Sequence, residues 1–238
     1  MRIILASGSP RRFDLLTQMG WQVEVHSFPF AEAESVSDAK AQLLHLQKQL
    51  ILSEESSADI KQDNSSPLTT SLFGSNDLAL LSPYQNADVV CAYNALGKGK
   101  AAAVGVGTQL PVIAADTIVV LGDSILGKPA DSEEAKRMLQ MLSGRAHQVK
   151  TAAALLFKDK TSLQVVTTVV HFRTLTEKEI DWYVGTGEPL DKAGAYGIQG
   201  KGAVLVERIE GSYDNVVGLP LATVYEMLLR CGAEEATW

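Results

Sequence analysis

Arg2-Ile-Ile-Leu-Ala-Ser-Gly-Ser-Pro-Arg-Arg12 decides the fold class. Ile3, Ile4 and Leu5 read as a short strand buried on both faces, and the run stops at a glycine turn. Ser9 stands there as an N-cap and Pro10 at the first helical position, and Leu15, Leu16 and Met19 follow at helical spacing before Gly20. Strand, tight turn and helix start form the opening unit of an α/β protein. The same unit suits an anion, because a helix start offers unpaired N–H groups and a partial positive charge, here joined by Arg11 and Arg12.

Working outward, Val23 to Val25 reads as a second strand leading into Phe30-Ala-Glu-Ala-Glu34, and helical spacing runs from Asp38 to Leu52. The character then changes: eight serines fall between Ser53 and Ser82, with Asn64, Pro67, Gly74 and Pro83 among them. This composition predicts a flexible insertion at about 53–88 within a single domain spanning 1–238. Helical character resumes near Ala87 and passes Lys98 and Lys100 to Val104. Val112 to Leu121 is the clearest buried strand, interrupted by Asp116 and Thr117. A carboxylate in a dry strand costs several kcal/mol unless it is paired or binds a metal, so Asp116 needs a function. Gly127-Lys-Pro129 makes a turn, and Asp131-Ser-Glu-Glu134 forms a capping box for a helix. Val149 to Phe157 and Leu163 to Phe172 suggest an antiparallel pair. Thr176 and Glu179 cap another helix, Gly202 to Ile209 reads as a strand, and Gly218-Leu-Pro-Leu221 opens a last helix closed by Gly232.

Composition narrows the function. At 238 residues, 46% hydrophobic and 21% charged, the chain is sized for one globular core. A net charge of −7 and a pI near 5.1 argue against a nucleic-acid backbone or an anionic membrane as partner. Cys91 and Cys231 lack the spacing of a zinc site or disulfide framework and fit reduced thiols in a cytoplasm. No apolar stretch approaches transmembrane length.

The richest chemistry lies in Thr186-Gly-Glu-Pro-Leu-Asp-Lys-Ala-Gly-Ala-Tyr-Gly-Ile-Gln-Gly200, which offers Glu188, Asp191, Lys192 and Gln199 among four glycines. Set beside it are Ser9, Arg11 and Arg12; Glu32 or Glu34; Lys98; Asp116 and Thr117; and Lys128. Basic groups and a helix start neutralise a polyphosphate, and acids hold a divalent cation such as Mg²⁺ or Mn²⁺ shared with it. His147 reads as a hydrogen-bonded structural histidine, since no ligand spacing surrounds it.

These stretches resemble the Maf family of nucleoside triphosphate pyrophosphatases. The match runs through Leu5 to Arg12, Ala115 to Thr117, Gly127 to Pro129, Leu142 to Val149, Gly187 to Gly200 and Ile209 to Pro220, in order along nearly the whole chain. The resemblance implies an elongated mixed sheet flanked by helices, with a cleft between two lobes, similar to inosine-triphosphate pyrophosphatases. The 9–12 turn and the 186–200 loop would face each other across it. It also implies that Asp116 accepts a proton from the attacking water, with Glu32 as a second acid, and that Asp116, Glu32 and Asp191 hold the metal. Ser9, Arg11, Lys98, Lys128, Glu188 and Lys192 would contact substrate. Arg12 or Arg11, Thr117 and Gln199 match specificity positions, while Glu34 rivals Glu32 and Lys40 or Lys100 rivals Lys98. Ala195 to Gly200 is similar to the branch acting on dTTP and UTP, and modified pyrimidine nucleotides belong to the same expectation. The expected partner is thus a nucleoside triphosphate, with a homodimer left open. The rival expectation is a nucleotide-sensing regulator of septum formation without turnover.

Overall fold

The computed structural model describes residues 1–55, 73, 75–84 and 86–233. Seven strands form one mixed sheet: β1 (Arg2–Leu5), β2 (Gln22–Val25), β3 (Val112–Leu121), β4 (Ser124–Leu126), β5 (Ala146–Phe157), β6 (Lys160–Phe172) and β7 (Val206–Glu210). Their order is β2-β1-β3-β5-β6-β7, with β4 on β3. The strands β1, β2 and β3 pair in parallel, and the remaining pairs are antiparallel. Helices cover both faces. On one side, α2 (Val36–Glu55), α3 (Ser75–Leu81) and α4 (Ala87–Val106) enclose a core with Val112, Ala114, Ile118 and Val120 of β3. On the other, α1 (Pro10–Gln18) and α8 (Leu221–Cys231) pack on Ile113 and Ala115. A third cluster joins α5 (Ser132–Leu142) and α6 (Glu177–Val184) to Val119, Val149 and Val170.

One irregularity of the sheet positions everything that follows. β1 pairs with β3 only as far as Leu5 opposite Ile113, and β4 joins β3 only from Val119. Residues 114–118 therefore have a strand neighbour on one side, β5, and an open edge on the other. Successive side chains of a strand point to opposite faces, so the gap exposes Asp116 toward α4 and Thr117 toward α1.

Helix α4 is buried on nearly every face, which explains its apolar sequence and its glycines. At Gly97 an added Cβ would lie 2.0 Å from the Phe30 ring, so the cost of a helical glycine, about 1 kcal/mol, is offset by close approach of that ring. Phe30 in turn meets Tyr93 and Phe73 at centroid distances of 5.4 and 6.2 Å.

Sequence expectation and structure differ in three places. Residues 56–72, 74 and 85 of the predicted insertion lie outside the described residues, but its later part is a packed element. Phe73 and Leu81 are buried, Lys100 pairs with Asp77 at 2.8 Å, and the Tyr84 hydroxyl donates to Leu163 O. Serine and asparagine content masked the apolar spacing of α3. The strand expected from Gly202 begins only at Val206, since residues 200–205 wind as a 3₁₀ helix that is tied at Arg173. Finally, Asp131 caps α5 through Glu134 N, but Glu134 accepts from Ala130 N rather than closing the box, which Thr176 and Glu179 do complete on α6.

Candidate active site

The open edge of β3 forms one wall of a cavity of about 460 Å³. Of the residues singled out by sequence, Ser9, Arg11, Arg12, Glu32, Lys98, Asp116, Thr117, Lys128, Asp191, Lys192 and Gln199 line it. The helix start and the 186–200 loop do face each other, for Arg11 Nη1 approaches Asp191 Oδ2 to 3.6 Å.

On the α4 side, Asp116 is only 8% exposed, and both of its oxygens accept hydrogen bonds. Lys98 Nζ donates to Oδ1 at 2.7 Å, and Asn94 Nδ2 donates to Oδ2 at 3.1 Å. The same Lys98 ammonium lies 2.7 Å from Glu32 Oε2, so two carboxylate oxygens converge on one point. Lys98 and Asn94 are one helical turn apart on α4, and so present one face to the gap. Of the rivals, Lys100 pairs with Asp77 and Lys40 is exposed away from this cavity, while Glu34 lines an adjoining one together with Glu32 and Asp116.

Sequence reading passed over Asn94. It is 3% exposed, and its amide binds the Ala33 backbone at both ends: Oδ1 accepts from Ala33 N at 2.8 Å and Nδ2 donates to Ala33 O at 3.0 Å. One side chain thereby fixes the 30–34 segment carrying Glu32 and orients Asp116. An asparagine within an apolar helix was the available signal, since a buried amide demands partners.

On the α1 side, Arg12 is held by three acceptors: Gly218 O by Nε at 2.8 Å, Ser7 Oγ by Nη1 at 3.0 Å and Thr117 Oγ1 by Nη2 at 3.0 Å. Loss of surrounding water lowers its pKa, against the pull of Asp116. Ser9 is the N-cap of α1 by backbone geometry, with no capping bond from its side chain.

The 186–200 loop is anchored throughout. Gly197 N donates to the Tyr183 hydroxyl at 3.1 Å, and Tyr196 OH meets His147 Nε2 at 2.7 Å. His147 is hydrogen-bonded as expected and also buried, and burial pushes its pKa down to about 4. Ala195 adopts φ 58°, a left-handed conformation unusual for a residue with a Cβ, immediately before Tyr196. Two expected site residues, Glu188 and Asp191, bond to neighbours in and beside this loop. Glu188 does not line the cavity; its Oε1 accepts from Lys201 N at 3.3 Å. Asp191 lines the cavity and faces Lys192 Nζ at 2.6 Å and Arg11 Nη1 at 3.6 Å. Burial raises the Asp191 carboxyl, but hydrogen bonding and charge from Lys192, with Arg11, outweigh it and hold its pKa below the ordinary value. Lys128 and Gln199 are exposed on the cavity and make no hydrogen bond or ion pair among the described residues.

The donor set fits a hard divalent cation. Asp116 and Glu32 carry the hard carboxylate oxygens that such a cation takes, and in this structure Lys98 Nζ lies between them. No group of three or more His, Cys, Asp or Glu gathers among the described residues.

Fold and site define an α/β protein with a cationic cleft built over a paired carboxylate. The chain belongs to the Maf family, whose pattern, described as Maf-like protein, matches residues 2–231. It is similar to a dTTP/UTP pyrophosphatase of Salmonella typhimurium, 40% identical over 95% of this chain and 91% of that protein. One from Photobacterium profundum is 39% identical over 93% and 92%, and one from Dictyoglomus thermophilum 38% over 97% and 96%.

Proposed function

We propose that this chain is a nucleoside triphosphate pyrophosphatase that hydrolyses dTTP and UTP between the α- and β-phosphates, giving the monophosphate and pyrophosphate. The observation that carries the reading is the Asp116–Lys98–Glu32 cluster at the open edge of β3, facing a helix start with two arginines. Full-length similarity to proteins named dTTP/UTP pyrophosphatases supports the substrate class.

In this reading Asp116 takes the proton of the attacking water. A carboxylate has about four lone-pair sites, and Lys98 and Asn94 use two, which fixes its orientation and leaves room for water. The α–β bridge breaks as the water oxygen bonds to phosphorus, and the electron pair leaves with pyrophosphate. Lys98, Lys128, Lys192, Arg11 and the Ser9 turn balance phosphate charge where water is partly excluded and charge counts for more. Asp116 and Glu32 would hold Mg²⁺ or Mn²⁺, which when bound stabilises charge on the phosphates. Gln199 sits on the cavity with a free amide that suits the N3–H and carbonyl edge shared by thymine and uracil. Among the described residues no helix is long and apolar enough to cross a membrane. The reading keeps a cytoplasmic setting and modified pyrimidine nucleotides as further substrates. It needs no nucleic acid and leaves a homodimer open.

A panel of canonical and modified triphosphates with Mg²⁺ or Mn²⁺, scored for pyrophosphate release, tests it. Release from dTTP and UTP above CTP and the purines is expected, and nucleotide binding without turnover would replace this reading by the sensor. Nothing in the site favours that alternative.

A further inference from the structure

We propose that Thr151 and Asn215 are positioning residues that orient Arg12 through a directed chain of hydrogen bonds crossing the sheet. The role of Arg12 toward substrate rests on the pyrophosphatase reading, while the chain itself rests on geometry. Arg12 Nη2 donates to Thr117 Oγ1 at 3.0 Å, so the threonine oxygen accepts. Its own proton has Thr151 Oγ1 at 3.0 Å, with Gly218 O at 3.5 Å as the poorer choice. Thr151 gives its proton to the Asn215 carbonyl at 2.9 Å and therefore accepts from Thr117. A carbonyl only accepts, so the polarity from Arg12 to Asn215 has one sense.

Asn215 is held just as firmly. Its Nδ2 donates to Val149 O at 3.1 Å and Thr168 Oγ1 at 3.0 Å, its backbone N donates to Ser212 Oγ at 3.2 Å, and Thr168 donates to Ser212 O at 2.9 Å. Thr151, Thr168 and Asn215 are 0% exposed. Asn215 Oδ1 has no partner, so the side chain serves through its two N–H groups, which aspartate could not supply. Around Asn215, α7 (Tyr213–Val217) lies between Gly211 and Gly218, at φ 126° and 125°, where an L side chain is strained. A Cβ on Gly211 would also lie 2.8 Å from Thr168 Oγ1. The 209–220 motif thus works as the buttress behind Arg12. One consequence is chemical: the Thr117 hydroxyl is committed and donates to no base, so its influence on substrate choice passes through Arg12.

The test is a double-mutant cycle on UTP hydrolysis. Thr151→Val keeps the shape and removes the hydroxyl, and it should lower kcat/KM about tenfold, while Thr151→Ser stays within about twofold of wild type. In an Arg12→Lys background, which cannot use Thr117 in the same way, Thr151→Val should change kcat/KM by less than about twofold. Where Arg12→Lys turns over too slowly, the same comparison is read from UTP dissociation constants without divalent cation. Should Thr151→Val fail to fold, Thr117→Val, at the cavity edge of the same chain, takes its place in the cycle. Equal factors in both backgrounds, or no recovery in Thr151→Ser, overturn the positioning chain alone. A wild-type protein that hydrolyses neither dTTP nor UTP overturns the functional reading as well.

Discussion

Adjacent residues of β3 face two differently built halves of one cleft. Toward α4, Asp116 meets Lys98 and Glu32, a cluster of full charges that is open to the cavity on one side. Toward α1, Thr117 accepts from the Arg12 guanidinium and leads behind it into a run of hydroxyl and amide groups, Thr151, Asn215 and Thr168, that itself carries no charge and is fully buried. Charges facing a wet cavity can exchange partners with phosphate, water or a cation, because solvent lowers the cost of rearrangement. Neutral groups sealed in the sheet cannot, since every broken bond leaves an unpaired group costing about 1–3 kcal/mol. The charged half is suited to chemistry and the neutral half to holding position.

The largest expected effect breaks the charged half. Asp116→Asn should reduce kcat by on the order of 10²–10⁴ with the fold intact by circular dichroism and melting, as loss of a general base does. A folded variant at wild-type rate would remove Asp116 from the mechanism. Asn94→Leu strikes the frame of the same half: it leaves Ala33 N and O unpaired and Asp116 Oδ2 without a donor. We expect a stability loss of about 3–4 kcal/mol by urea unfolding, with a lower kcat in the folded fraction. Unchanged stability would show that water replaces the amide.

His147 lies two positions along β5 from Val149, whose carbonyl accepts from Asn215 Nδ2. Its folded pKa, about 4, lies below the ordinary 6.5, so the unfolded chain binds the extra proton. Its contribution is complete above pH 6.5 and is lost progressively as pH falls toward 4, by up to about 3 kcal/mol. Urea midpoints measured over that window should decline, and His147→Leu should flatten the decline. A slope indifferent to the substitution would assign acid sensitivity to the carboxylates. The smallest effect concerns the rim. Gln199→Ala should narrow the UTP-to-CTP ratio in kcat/KM about tenfold, as one lost hydrogen bond of about 1.4 kcal/mol predicts. Equal slowing of both substrates would instead mean that Gln199 supports the loop.

How far the sequence could be read followed the range of the interaction. Local periodicity gave β1, β3, the β5–β6 pair and the caps of α5 and α6, because strand burial and capping are set by residues a few positions apart. It missed α3, whose apolar residues sit among serines, and extended β7 into a 3₁₀ turn whose conformation depends on Arg173. Candidate site residues were legible as chemical oddities: an aspartate in an apolar strand, arginines at a helix start, an amide among glycines. The sequence alone therefore determined which groups the protein has for phosphate chemistry and that an α/β sheet carries them. Tertiary structure decided their use. Only the gap between β1 and β4 brings Asp116 and Thr117 to one cavity, and only packing of α4 against the 30–34 segment separates Glu32 from Glu34 and Lys98 from Lys100. It also left Glu188 off the cavity, bound to Lys201 N, and set Asp191 on it against Arg11 and Lys192. Hydrogen bonds between residues 61 and 206 positions apart, Ala33 to Asn94 and Arg12 to Gly218, leave no periodicity in the chain, since their partners are selected by three-dimensional proximity.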